Sequence, residues 1–319
     1  MFLFGIINIP CFSSAENEIG LQSSEINVEI NPENPGPHED VIVNISSYAT
    51  DLNKAIISWQ VPSVDEASGI GKTSYKIKTG AIDIPITINI SIKPVGSMDT
   101  ITKKIVIIPS EIEIMWESVD GYAPPFYKGK KLPISGGTIK AVAIPNTGYI
   151  KSGSGSITYT WANNGSVIDT ASGYNKNYYL FKNSLFDEVN NISVMASSVS
   201  GDYSAEKTVE IPLYKPKIIF YEKSPTEGTL YNKAISDNTY ITNDEMTIVA
   251  EPYFLSLKDN NDKFTYTWKI NDKDIATPIN KTELTIRPTS RGGYATVGLT
   301  IENMTELFQK ISNNIKLEL

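Results

Sequence analysis

Apolar and polar positions alternate with a period of two along most of this chain, in short runs separated by Gly, Pro, Asn and Asp. That is the pattern of half-buried β-strands joined by turns. It is sharpest in three runs that each hold a tryptophan: "KAIISWQV" (54–61), "SITYTWAN" (156–163) and "KFTYTWKI" (263–270). In the third, Phe264, Tyr266, Trp268 and Ile270 fall on one face and Lys263, Thr265, Thr267 and Lys269 on the other. Ile157, Tyr159 and Trp161 repeat that face in the second run, and Ala55, Ile57, Trp59 and Val61 in the first. The three indoles are 102 and 107 residues apart.

A period of about a hundred residues is the size of one immunoglobulin-type sandwich. Strand-like runs flank each tryptophan: "EINVEI", "VIVNISSY", "SYKIKTG", "ITINISI" and "TKKIVIIP" in the first copy. The second has "IEIMWE", "GTIKAVAIP", "NYYLFK", "NISVMASS" and "AEKTVEIP"; the third has "KIIFYE", "EMTIVAEPY", "ELTIRP", "ATVGLTI" and "NIKLEL". The prediction is an all-β chain of three tandem immunoglobulin-like (PKD-like) β-sandwich domains, spanning 24–109, 110–214 and 215–319. Abrupt, proline-bearing joins are expected near "IIPSEI" (107–112) and "IPLYKP" (211–216). "TELFQK" (305–310) is read as one helical turn. Trp59, Trp161 and Trp268 are the expected structural core, each filling the gap between two sheets.

The segment after each tryptophan also recurs: "ASGIGKTSYKI", "ASGYNKNYYLF" and "IATPINKTELTI", with a lysine 13, 15 and 13 residues past the indole. Gly71-Lys72-Thr73 resembles the end of a phosphate-binding loop, which needs GxxxxGK[ST] and a helix to follow. Here Glu66 stands at the first glycine position and a strand pattern follows. Asn175 and Asn280 take the place of Gly71 in the other copies, an exchange that suits a turn with positive φ but not a phosphate cradle. The cluster therefore reads as a loop entering the next strand, with no nucleotide implied.

Composition narrows the partners. Lys plus Arg is 28 and Asp plus Glu is 36, a net charge of −8, and only Arg287 and Arg291 are arginines. Such a chain is poorly suited to neutralising nucleic-acid phosphates. The start, "MFLFGIINIPCFSSA", is expected to be a truncated signal peptide (1–15), with small residues before a cleavage site after Ala15. It lacks a basic segment, so the true start lies upstream or the leader is atypical; Pro10 opposes the alternative of a buried first strand. Cys11, the sole cysteine, would leave with the leader. No other stretch reaches the roughly 18 apolar residues of a membrane-spanning helix. His38 is the only histidine, in the turn "PENPGPHED", which allows neither a multi-histidine metal site nor, without a nearby nucleophile, a triad. The acidic loops "KDNNDK" (258–263) and "NDKD" (271–274) lack the Gly and terminal Glu of a calcium-binding loop, leaving only a loose Ca²⁺ site between domains as an alternative. No catalytic, cofactor-binding or metal residues are assigned.

"MWESVDGYAPPFYKGKKLP" (115–133) and "FYEKSPTEGTLYNKAI" (220–235) open the second and third copies in parallel fashion: an apolar strand ending in Glu, a proline-containing loop, then an aliphatic or aromatic residue followed by Tyr. Tyr122, Pro124, Pro125, Phe126, Tyr127, Lys128 and Tyr231 form the candidate interaction or inter-domain surface. One reading makes the aromatics an exposed platform for a glycan or a proline-rich peptide. The other packs them under the loop or against the preceding domain, fixing the angle between domains. Together with "NPENPGPHEDVIVNISSYATDLNKAIISW", "SGYNKN" and "VAEPYF", the segment "YAPPFYKGK" resembles an uncharacterised family of exported bacterial proteins with tandem immunoglobulin-like or PKD-like domains, found in candidate phyla with reduced genomes. The likeness runs from about residue 24 onward, and this chain departs from it at "VPSVDEASG", where an Asn-Gly turn is usual. It implies export and an envelope or surface location and carries no catalytic residues. The combined expectation is a non-enzymatic cell-surface or envelope spacer or adhesion module with a protein or glycan partner. The alternative is a carbohydrate-binding array using exposed aromatics.

Overall fold

The computed structural model describes residues 23–62, 64, 66–146, 157–200, 203–256, 264–289, 292–304 and 310–319. The expected leader, the acidic loop 258–263 and all but Lys310 of the expected helical turn lie outside them. The described chain is strands, turns and one short 3-10 segment, Ser23–Glu25. No helix among the described residues is long and apolar enough to cross a membrane. Compactness divides the chain into two units, Met1–Ser110 and Glu111–Leu319.

The first unit is one sandwich. Strands β1 (Ile26–Asn31), β2 (Asp40–Ser47) and β5 (Ser74–Lys78) form one antiparallel sheet in the order β1-β2-β5. Strands β3 (Ile56–Gln60), β4 (Ala67–Ile70), β6 (Ile86–Lys93) and β7 (Ile101–Ile107) form the other, in the order β4-β3-β6-β7. First, second and fifth strands against third, sixth and seventh is the immunoglobulin-type distribution, with the tryptophan on the third strand. The inward residues, among them Val41, Val43, Ile57, Trp59, Ile88 and Ile90, have no exposed surface. They make one core, and the outward positions between them are polar or half-exposed.

The second unit holds two such sandwiches, each with its own core. In the middle one, β8 (Glu111–Ser118), β9 (Thr138–Asn146) and β13 (Tyr178–Lys182) form a sheet in the order β13-β9-β8. It faces β10 (Ile157–Asn163), β11 (Ser166–Val167), β12 (Gly173–Tyr174), β14 (Val189–Ser198) and β15 (Ser204–Pro212). In the third, β16 (Lys217–Ser224), β17 (Gly228–Ala234), β19 (Met246–Tyr253) and β22 (Glu283–Ile286) face β18 (Thr239–Tyr240), β20 (Phe264–Ile270), β21 (Lys273–Asp274), β23 (Tyr294–Asn303) and β24 (Lys310–Glu318). Trp59, Trp161 and Trp268 stand opposite Ile90, Val194 and Leu299 in equivalent registers, and all three are fully buried.

The lysine that follows each indole has a physical role that its side chain does not reveal. Its backbone carbonyl accepts the indole Nε1–H: Lys72 at 2.8 Å, Lys176 at 2.9 Å and Lys281 at 3.0 Å. A tryptophan buried between apolar layers has one polar atom to satisfy, and the turns before β5, β13 and β22 supply the acceptor three times. Tyr75 then stacks on Trp59 at 5.3 Å and Tyr179 lies 6.0 Å from Trp161. In the third sandwich that position is Leu284, and Phe220 from the first strand approaches the indole instead, at 6.1 Å.

Two local expectations need correction. "ASGI" is a strand, β4, hydrogen-bonded along β3, because its polar side chains reach the adjacent hydroxyl row; Ser68 and Ser58 are 2.8 Å apart. Gly71 and Asn175 both have positive φ (67° and 58°) and both donate their N–H to the start of the tryptophan strand. They are not interchangeable, however: a Cβ at Gly71 would lie 2.6 Å from the Asn53 carbonyl oxygen. Asn280 is not among the residues with positive φ.

Candidate functional site

The long loop between β8 and β9 carries the aromatic and proline residues singled out in the sequence. It is anchored at both ends by polar side chains. The Asp120 carboxylate accepts the Thr138 N–H at 3.0 Å and the Ser118 hydroxyl at 3.2 Å. At the far end the buried Asn183 side chain accepts the Gly136 N–H and donates to the Ile134 carbonyl, both at 2.8 Å. The middle of the loop turns at Pro124-Pro125-Phe126-Tyr127, closed by the Tyr127 N–H on the Pro124 carbonyl at 2.9 Å. Pro125 sits at the corner, where its fixed φ suits the turn. Pro124 is buried, and Pro125 and Lys128 are exposed. Tyr127 folds back to donate to the Lys130 carbonyl, with its ring against Gly129, where any Cβ would come within 2.6 Å of the ring.

This loop lies on the third sandwich, not on a preceding one. Tyr122 exchanges backbone hydrogen bonds with the chain just after β19: its N–H donates to Leu255 at 2.8 Å and its carbonyl accepts from Phe254 at 2.7 Å. Gly121 bridges Ser256 beside them. The Phe126 ring stacks on Tyr231 with centroids 3.9 Å apart and meets Tyr221 and Tyr253 edge-on at 6.1 and 6.4 Å. Tyr127 is edge-on to Tyr253 and Phe254 at 6.0 and 5.6 Å. Such edge and offset contacts each contribute about 0.5–1.5 kcal/mol beyond burial.

At the centre is Glu251, only 7% exposed. Its Oε2 accepts the Tyr122 hydroxyl and its Oε1 accepts the Tyr231 hydroxyl, each at 2.9 Å. Beside them the Tyr221 and Tyr253 hydroxyls are 2.8 Å apart. Burial first, and then the hydrogen bond to Glu251, push the Tyr122 and Tyr231 phenols above their ordinary ionisation range. Burial, with the hydrogen bond to Tyr221 next, does the same for Tyr253. Tyr221, Val249, Glu251 and Tyr253 all lie on the outward face of the sheet containing β16 and β19, yet all are buried. The loop from the middle sandwich and the β17 hairpin cover them.

The structure brings together Tyr122, Phe126, Tyr127 and Tyr231, and leaves Lys128 and Pro125 outside the cluster. The parallel drawn between Phe126-Tyr127 and Leu230-Tyr231 dissolves: the first pair is on a loop, the second is on β17, and Phe126 and Tyr231 touch. The decisive residues that sequence reading passed over are Glu251, Tyr221 and Tyr253. For Glu251 and Tyr253 the signal was present in "MTIVAEPY", where apolar residues occupy both faces of one strand and every position but one is buried. Trp116 was also passed over; it is half-buried beneath Lys130, whose ammonium lies 3.0 Å from the ring centroid. Burial lowers the tendency of Lys130 to hold its proton, with Glu117 acting in the opposite sense.

Of the remaining candidates, His38 is exposed with φ 56° in its turn. Asn271 and Asp272 make the left-handed turn between β20 and β21, and Asp274 pairs with Lys269 at 3.4 Å. Among the described residues no three metal-ligating side chains gather.

No family model and no curated protein matches the chain. Among solved structures it is similar to the three N-terminal domains of the bacteriophage RB49 Highly Immunogenic Outer Capsid protein (Hoc), at 8% identity and a TM-score of 0.24, covering 92% of this chain and 97% of that one. It is also similar to Sidekick-1 immunoglobulin domains 1–4, at 12% identity and a TM-score of 0.22, covering 92% of this chain and 74% of that one.

Proposed function

We propose that this chain is a non-enzymatic spacer or adhesion module of the cell surface or envelope, in which the aromatic loop holds the middle and third sandwiches at a fixed angle. One observation carries the reading: two tyrosine hydroxyls, one from each sandwich, converge on the buried Glu251 carboxylate. An aromatic platform for sugars offers its ring faces to solvent. Here Phe126 is stacked on Tyr231 and Tyr127 is closed over Gly129, which favours the joint over the carbohydrate-binding alternative. Export, and kinship with the candidate-phylum family, belong to the same proposal and rest on the leader-like start and the "YAPPFYKGK" and "VAEPYF" segments.

Small-angle scattering on the Phe126→Ser/Tyr127→Ser variant tests it. The joint predicts a broadened or altered scattering profile with both sandwich cores still folded. An unchanged profile, together with saturable sugar binding on a glycan array that the variant loses, would replace this reading with the carbohydrate-binding one.

A further inference from the structure

In the third sandwich, the outward face of the sheet that carries Trp268 lacks a side chain at its centre. Register sets the positions on this face. Gly298, midway along β23, stands opposite Lys269 on β20 and Asn314 on β24. Two residues further on, Thr300 stands opposite Thr267 and Ser312; two residues back, Thr296 stands opposite Lys316. The gap at Gly298 is an open depression of about 210 Å³, bordered by Lys269, Asp272, Thr296, Thr300, Ser312 and Asn314. The equivalent positions of the other two sandwiches are filled, by Asn89 opposite Gln60 and by Ser193 opposite Ala162. Nothing in the fold demands a glycine here. Gly298 is not among the glycines with positive φ, and the register of β23 with both neighbours runs through it without a bulge. A Cβ would meet the Asn314 Cβ at 3.5 Å and the Asn313 carbonyl at 3.6 Å, ordinary contacts. A glycine inside a strand weakens it, and where no bulge or bend needs one it marks a close approach to the backbone.

We infer that this depression is a binding site for one sugar unit of a neutral glycan. The hydroxyls of Thr296, Thr300 and Ser312, the Asn314 amide and the Asp272 carboxylate make no hydrogen bond or ion pair with any described residue; only the backbone N–H groups of Thr296 and Asn314 are engaged. Hydroxyl and amide side chains both donate and accept, which is what the hydroxyls of a sugar require of their partners. The Lys269 ammonium is drawn towards Asp274 at 3.4 Å, and Asp272 adds a second carboxylate, so the border holds no surplus positive charge for an anion. An apolar peptide side chain would need an apolar wall, and the apolar residue beside the gap, Leu299, belongs to the core. The volume is below the roughly 300–1,000 Å³ of a pocket for a drug-sized ligand and suits a single sugar ring. The site rests on the adhesion reading for its purpose and supplies that reading with a partner chemistry; it shares no residue with the joint at Glu251.

A glycan array carrying neutral, sialylated and sulfated oligosaccharides, probed with the full chain and followed by saturation-transfer NMR titration of the glycans retained, reads the site. The expected result is saturable binding of a neutral glycan that falls at least about tenfold in Gly298→Val, which fills the gap. Calorimetry should show the melting temperature of that variant unchanged or raised, since valine suits a strand better than glycine. Thr300→Val keeps the shape and removes one hydroxyl, and should weaken binding about two- to tenfold. Phe126→Ser/Tyr127→Ser should leave binding as it is. Failure to bind any neutral glycan overturns the inference, as does binding that survives Gly298→Val. Binding confined to sialylated or sulfated glycans, or lost in Phe126→Ser/Tyr127→Ser while Gly298→Val keeps it, also overturns it. None of these results alters the joint, which scattering reads separately.

Discussion

Removing the two hydroxyls that meet at Glu251, singly and together, measures how tightly the middle and third sandwiches are coupled. Tyr122→Phe and Tyr231→Phe each keep the ring, and with it the stacking on Phe126, and delete one O–H···O bond of 2.9 Å. A hydrogen bond to a charged group contributes about 1.5–3 kcal/mol when fully buried. Both tyrosines are half-exposed and water compensates in part, so each single change should cost about 1 kcal/mol. The carboxylate itself is 7% exposed. With either hydroxyl left it keeps a donor, and with both gone it is buried without one, at a further cost of about 1–3 kcal/mol. The double variant should therefore lose about 3–5 kcal/mol, more than the sum of the singles.

For a unit of this size 1 kcal/mol moves the melting temperature by about 2–4 °C. Differential scanning calorimetry should thus show small shifts for the singles and a drop of about 6–20 °C for the double in the transition of the second unit. Strictly additive shifts of a few tenths of a kcal/mol would refute the carboxylate as the coupling element. A third sandwich that melts identically with and without Tyr122→Phe would refute the joint itself.

Alkaline pH tests the same cluster. A phenol whose folded ionisation is pushed above its ordinary 10.0 stabilises the fold fully below that value, and the contribution disappears as pH rises through the higher folded value. Stability of the second unit should therefore fall above about pH 10, and less steeply in Tyr122→Phe, as read by urea denaturation at stepped pH. Trp161→Ala should cost about 3–5 kcal/mol, and an unchanged middle-sandwich transition would contradict its place between the sheets. Gly71→Ala should destabilise the first unit by about 1 kcal/mol or more, since it meets both a positive φ and a carbonyl at 2.6 Å. Asn175→Gly should change the melting temperature by about a degree or less.

The strands and the sandwich pairing were legible because period-two alternation survives wherever one face is dry and the other wet. The tryptophan strands are the clearest case, and their lysine spacing even marked the acceptor of the indole proton. Legibility failed where a second layer covers the outward face. "VAEPY" on β19 breaks the alternation because Val249, Glu251 and Tyr253 are buried by a loop more than a hundred residues earlier in the chain, which no local pattern encodes. "GTLYNKA" failed for the opposite reason: β17 is half-exposed over its first four residues and exposed over the last three, and has no dry face to read. The direction of packing of Phe126 was equally hidden, since a loop's composition marks it as sticky without saying which neighbour it meets.

The middle and third sandwiches are linked by two routes in parallel. One is the covalent connection from β15 to β16, where the Tyr214 N–H is held by the Pro133 carbonyl. The other is the backbone exchange between Tyr122 and the Phe254-Leu255 pair. Tension applied along the chain is therefore shared, and the second sandwich pair cannot be drawn apart by straightening Leu213–Pro216 alone; the short Tyr122 ladder must shear at the same moment.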